Sequence, residues 1–453
     1  MRRPPRGGAA PRKRVTSPHD AIRRMRVPKP GRGVWVALIA AVVGSAGAAR
    51  PGRAAVAGDV SPGASYGITD NPFGTANNAG SAHWQPVGTL SAQAHLRLIE
   101  ARSTSVAEYT FFRSEFFDTP QASSTGQSAR LSSDISPNAR TRVLVGIDGS
   151  LFSLATLPTI DPAGGSTITT PIGTAPAHVL AVGATETLTF TPNGTETYSE
   201  TVLGSYLRPL GGTSVIPDTL QMMFLGIAQR IRGRNTYLVS RRLTDLYNFA
   251  NTSIPPPMTA FSTGQLLTAE VLGGWRREIS VRTTLDVRAG ALALGSVAAE
   301  SLAVGPAGSV TLSYRWLPWF ASLSLVQEPT MNPYLASALI ADSLSLRLSL
   351  PLNIRETFVV NGLAGYTYAR SITSNQHFVN AHRLYDLFTL GASVSYRFEA
   401  VPVYMSLDYL AVTQRGSVQD GVYSPSSLRR LLTLSIRGTF GFGGGETDNI
   451  RAR

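Results

Sequence analysis

The sequence predicts an all-β fold, a single antiparallel up-and-down transmembrane β-barrel of about 16 strands within a range of roughly 14 to 18. Three observations predict it. Two-residue alternation of apolar and polar side chains fills the chain after Gly58. Short turn sequences take turns with long polar connections, and an apolar leader precedes the whole.

The leader comes first. Residues 1–57 hold 11 arginines plus Lys13 and Lys29 against the single acid Asp20, although the chain as a whole has 41 basic and 28 acidic residues. Without that segment 28 basic and 27 acidic residues remain, so the body is nearly neutral and contains no lysine. A surface built to neutralise phosphates needs a cationic surplus, so nucleic acid is not an expected partner. Arg26, Lys29 and Arg32 precede the apolar run Val34 to Val43, which fades into small residues through Ala49. That is the layout of a secretory signal peptide, and the run falls short of the ~20 residues of a spanning helix. Ala55-Val56-Ala57 before Gly58 is the preferred cleavage site, and Ala46-Gly47-Ala48 is the second. Met25 is a candidate true start behind an Arg/Pro-rich prefix. The expected organisation is therefore a prefix and signal over 1–57, a mature N-terminal segment over 58–88, a barrel over 89–442 and a C-terminal tail over 443–453.

Within the body, Ser343 to Leu350 reads Ser-Leu-Ser-Leu-Arg-Leu-Ser-Leu, with leucines on one face and Ser343, Ser345, Arg347 and Ser349 on the other. Ser309 to Trp316 and Thr389 to Phe398 repeat the arrangement, and Val281 to Ala289 follows it with Thr283 as an interruption. Turn sequences recur at Thr191-Pro192-Asn193-Gly194, Arg232-Gly233-Arg234, Gly274-Trp275-Arg276, Leu317-Pro318, Pro351-Leu352-Asn353 and Ala400-Val401-Pro402. Their spacing of roughly 35 to 48 residues is the pitch of a hairpin plus a longer loop. The expected long connections are Thr119 to Pro137, Pro158 to Pro176, Asn251 to Phe261, Gln327 to Ala341, Ser371 to Ala381 and Gln414 to Ser427. Segments of 10 to 15 residues exceed the ~5 to 6 of soluble sheets and match tilted membrane strands. Only 15% of residues are charged, against about 25% in soluble domains. Trp316, Trp319, Tyr396, Phe398, Phe440 and Phe442 near strand ends fit an interfacial aromatic belt.

On these residues the chain resembles the Gram-negative outer-membrane β-barrel class. The last expected strand, Leu431 to Phe442, ends in Phe440 and Phe442, similar to the assembly signal of such barrels. Arg437 stands where that pattern has glycine, and a tail follows. The resemblance implies an outer-membrane location, periplasmic termini, and outer-membrane lipid, periplasmic chaperones and the barrel-assembly machinery as partners. It says nothing of oligomeric state.

Charged residues opposite the apolar positions carry the functional expectation. Arg97, Arg282, Arg288, Arg315, Arg347, Arg397 and Arg437, with Asp286 and Asp408, fall on the polar faces. A basic side chain in mid-bilayer costs about 2 to 4 kcal/mol, so these are expected to line a lumen. In an open lumen they favour anions. The expected function is thus a passive channel for small hydrophilic, and more specifically anionic, solutes. A closed structural or receptor barrel is one alternative, since in a filled lumen the same groups pair with acids and carbonyls. An outer-membrane hydrolase is another. His377 and His382 share an expected outer loop with Asn375, Asn380 and Asp386, but their spacing matches neither a helical nor a strand metal pair. No catalytic residue, cofactor or metal is expected, and the lack of cysteine removes thiolate sites and disulfides.

Overall fold

The computed structural model describes residues 55–71, 84–120, 123–153, 178–210, 218–249, 264–296, 301–316, 318–332, 337–353, 355, 357–371, 382–416, 418–419, 422–423 and 427–442. The prefix, the leader's apolar run and the tail over 443–453 lie outside them.

Strands run up and down in sequence order. The first nine are β1 (Ala55–Thr69), β2 (Gln85–Ile99), β3 (Ser103–Phe116), β4 (Ser124–Asn138), β5 (Thr141–Ser153), β6 (His178–Asn193), β7 (Glu196–Leu210), β8 (Thr219–Arg232) and β9 (Asn235–Asn248). The next eight are β10 (Gly264–Glu278), β11 (Thr283–Ser296), β12 (Ser301–Trp316), β13 (Trp319–Asn332), β14 (Ser337–Pro351), β15 (Phe358–Ser371), β16 (His382–Arg397) and β17 (Val403–Gly416). A small hairpin, β18 (Val418–Gln419) and β19 (Val422–Tyr423), precedes β20 (Ser427–Gly438) and β21 (Phe440–Phe442). β20 and β21 are one stave interrupted at Thr439, because both pair with β1 in a single register, Gly63 with Arg437 and Val60 with Phe440. All pairs are antiparallel, and β1 closes the ring between β2 and β20/β21. The result is a closed barrel of 18 strands.

The two strands beyond 16 lie in stretches expected to be irregular. β1 occupies the supposed N-terminal segment, so the barrel begins at Ala55 instead of residue 89. Its outward positions include Gly58, Pro62 and Ala64, which dilute the apolar alternation. β4 occupies most of the supposed loop Thr119 to Pro137, and its outward face includes Thr125, Gln127 and Ser133. Ala55, Val56 and Ala57 pair with Ile99, Leu98 and Arg97, so a cut after Ala57 would remove three residues of β1, whereas a cut after Ala48 would leave it whole.

Paired registers climb as they go round. Ser61 in mid-β1 aligns through Gln93, Thr110, Ser128, Ser150, Ala181, Leu207 and Thr219 with Asn248, at the far end of β9. The rise is about one residue per strand, the stagger of tilted strands in a closed barrel. Short turns gather at one rim, where β1 starts and β21 ends. At Arg232 to Asn235 the turn places Gly233 at φ 60°, a left-handed conformation that favours glycine. In the turn from Asn193 to Glu196 the Asn193 Oδ1 accepts from the backbone N–H of Thr195 (3.0 Å) and of Glu196 (2.9 Å). One expected turn is misplaced: Gly274, Trp275 and Arg276 lie within β10, and the chain reverses at Ile279 to Arg282.

Large apolar side chains face outward. Leu344, Leu346 and Leu348 on β14 sit beside Leu323 and Leu325 on β13, all exposed on the outer surface. Aromatic rings gather near the short-turn rim. Trp316 and Trp319 pack edge to face at 5.6 Å, and Tyr396 lies 5.0 Å from Phe398 and 6.4 Å from Phe358. Phe440 and Phe442 also point outward, next to Val60 and Gly58 of β1. Phe442 covers Gly58 so closely that a Cβ there would collide with its ring.

Candidate functional site: a lumen narrowed on one side

The inner wall is largely hydroxyl-bearing. Inward pairs on neighbouring strands bond to each other, among them Thr89 with Ser114 (3.1 Å), Thr187 with Thr201 (2.9 Å), Thr311 with Ser324 (2.8 Å) and Asn361 with Ser393 (3.2 Å). Most of these positions keep part of their surface accessible, as a water-lined interior requires.

One hairpin departs from the cylinder. β12 and β13 stay paired only as far as Gly308 with Gln327, whereas β13 and β14 continue together to Asn332 with Ser337. The freed tip turns inward. Ile340, wholly buried, joins one cluster with Leu272, Leu292, Leu294, Ala303 and Ala307, which stand on the inner faces of β10, β11 and β12. Glu328 reaches Arg242 of β9 at 3.5 Å, and the same guanidinium donates to Glu270 of β10 at 2.9 Å. At the root of the tip, Gln327 donates to Asp342 at 2.7 Å and Arg370 donates to the other Asp342 oxygen at 2.6 Å. Within the expected loop Gln327 to Ala341 the described residues 327–332 and 337–341 are strand, and Glu328 and Ile340 make this part of the hairpin an inward shelf at the height of Arg242. Leu292 is the centre of its apolar seat, 1% exposed. Leu292→Ala should cost about 2 to 5 kcal/mol, measured by denaturant unfolding of the refolded barrel.

The arginines expected on the inner wall fall into three groups. Arg97, Arg315, Arg347, Arg397 and Arg437 stand on inward positions of β2, β12, β14, β16 and β20, toward the short-turn rim. Arg397 and Arg437 flank Tyr404 in direct register. Asp408 is inward on β17 and accepts from the Ser406 hydroxyl at 2.7 Å. Arg288 and Asp286 are also inward, on β11, and form a two-bond pair at 3.0 and 3.1 Å. Arg282 is different. It lies in the β10–β11 turn with its guanidinium 5.5 Å from the outward Trp316 ring, because the strand starts only at Thr283. Of Arg282 and Arg288, both expected on the inner wall, only Arg288 stands there, and Asp286 neutralises it.

His377 lies outside the described residues, and His382 opens β16 opposite Ser371 instead of sitting in a loop. Among the described residues no group of three or more His, Asp or Glu is placed to hold a metal ion.

Neither a known protein family nor a curated protein matches the chain. Solved barrels are similar in fold. The siderophore receptor PirA from Pseudomonas aeruginosa aligns at 9% identity over 86% of this chain and 81% of its own, with a TM-score of 0.47. OpdL of Pseudomonas aeruginosa aligns at 12% over 86% and 99%, TM-score 0.45, and OccAB3 of Acinetobacter baumannii at 10% over 85% and 99%, TM-score 0.44.

Several lumen charges escape a strand-by-strand reading. Asp59, His95, Glu108, Arg130 and Asp148 stand side by side on β1 to β5, each paired in register with the next. His95 Nδ1 is 3.1 Å from Glu108 Oε1. This transverse row faces inward with its acids in the majority. Asp59 and Arg130 belong to the two unrecognised strands, so no single segment could have assembled the row. Arg242 and Glu270 are directly opposed on β9 and β10, but their meaning depends on Glu328 arriving from four strands away.

Proposed function

We propose that the chain is an outer-membrane channel that passes small hydrophilic solutes through its lumen. The observation that carries this reading is the division of the closed cylinder into a leucine-rich exterior and a part-exposed hydroxyl and charged interior, with the shelf narrowing one side only. Export by a cleaved leader and insertion through Phe440 and Phe442 by the assembly machinery belong to the same reading. Its finer part is an anion preference at the short-turn mouth. There Arg97, Arg315, Arg347, Arg397 and Arg437 raise the potential, and the acids of β1 to β5 and Asp408 limit it. Liposomes holding the refolded, heat-modifiable protein should swell in small neutral sugars and not in large ones. Liposomes that remain osmotically tight to every solute would favour the closed-barrel reading instead.

A further inference from the structure

The outer surface has one stretch where polarity is reversed. On β6, β7 and β8 the described inward positions carry no charge and include Leu203, Met223, Leu225 and Ile227. The outward positions of the same region carry Glu186, Glu200 and, on β9, Arg241. Glu186 and Arg241 lie at the middles of their strands, between Phe190 and Leu180 and between Tyr237 and Tyr247. Arg241 donates to Glu200 at 2.8 Å, reaching across Gly226, and its guanidinium lies 5.0 Å from the Phe224 ring. Glu200 and Arg241 are 53% and 61% exposed. Glu186 is exposed and makes no ion pair among the described residues. Other outward charges lie toward strand ends, as at Arg113 with Glu115 and Arg430 with Asp70.

We propose that the face formed by β6 to β9 is a contact between two copies of this chain within the membrane. Lipid tails offer these groups no hydrogen bonds, and charge on a lipid-facing wall is most destabilising at mid-bilayer. A second copy meets the need by charge. A two-fold axis parallel to the barrel and between β7 and β8 sets β6 of one copy against β9 of the other. By register Glu186 aligns through Val202 and Phe224 with Leu243. The climb of about one residue per strand brings the level position on β9 down to the Val239–Arg241 region, so Glu186 meets the second copy's Arg241 at nearly equal height. Arg241 has five donors, enough to serve its own Glu200 and that carboxylate together. Near the axis the Arg241 side chain lies over Gly226 and the Met222 side chain over Gly204. Four strands at about 4.8 Å spacing over a band about 25 Å tall give roughly 500 Å² per copy, hence about 1,000 Å² in total, the lower bound for a specific contact. The proposal rests on the outward face lying in a bilayer.

The chain has no cysteine, which makes cross-linking direct. Val202→Cys near the axis, and Leu390→Cys on β16 as a distant control, would be oxidised with copper-phenanthroline in native membranes. Val202→Cys should give a covalent dimer and the control none. Light scattering of the purified wild type should give the mass of two chains, Arg241→Glu the mass of one, and Glu186→Arg with Arg241→Glu the mass of two again, each with heat-modifiable migration as proof of folding. A wild type of single-chain mass together with no Val202→Cys adduct would overturn the proposal and leave lipid against this face. An adduct only to a protein of another size would overturn it in favour of a different partner. Recovery of the protein in the soluble fraction would instead refute the membrane reading itself.

Discussion

Replacing residues 328–341 by an Asn-Gly turn between Gln327 and Asp342 should raise the unit conductance roughly twofold and admit larger sugars in swelling assays, because the narrowest section of a pore dominates its resistance. Gln327 and Asp342 are already paired across the hairpin, so the shortened connection closes a register that exists. The shelf is held by Ile340 in its apolar seat and by Arg242 between Glu270 and Glu328. Removing it leaves Arg242 with its shorter contact, to Glu270, and the wall of β9 to β12 keeps its pairing. A variant with unchanged conductance would place the shelf off the permeation path.

Replacing Arg315 and Arg347 by serine should lower the anion-to-cation permeability ratio by a factor of about two, with the difference shrinking as salt rises, since the Debye length is only ~8 Å at physiological ionic strength. The effect is modest because other charges offset it or lie outside the lumen. Arg288 is neutralised by Asp286, Arg282 is outside the lumen, and the row from Asp59 to Asp148 opposes the arginines from β1 to β5. The fold should survive, because both side chains face the interior. Reversal potentials in a salt gradient measure the ratio, and identical values for variant and wild type would remove these two residues from the selectivity of the mouth.

Strands with strict alternation were legible from the chain alone. In β12, β14 and β16 the apolar and polar sets predicted for the two faces are the sets found there. β1 and β4 were not legible, because Gly58, Pro62 and Ala64 in β1 and Thr125, Gln127 and Ser133 in β4 interrupt the outward apolar set. The shelf was hidden for a different reason. Once the tip of β13 and β14 leaves β12, the face that looked outward presses on the inner wall, and Ile340 on that face becomes interior. Pattern along one strand carries no record of such a turn. Arg282 shows the limit at a boundary: alternation continued one residue past the strand's true start, and that residue belongs to a turn. Height was the missing quantity for the other arginines. Only the registers reveal that five of them gather near one rim while Arg242 and Glu270 share the level of the shelf.

In single-channel recording from a planar bilayer, the purified, refolded protein should give discrete, ohmic conductance steps that are enlarged by removal of residues 328–341 and biased toward anions at low salt. A protein that inserts, migrates as a folded barrel and yet produces no steps would contradict the channel reading.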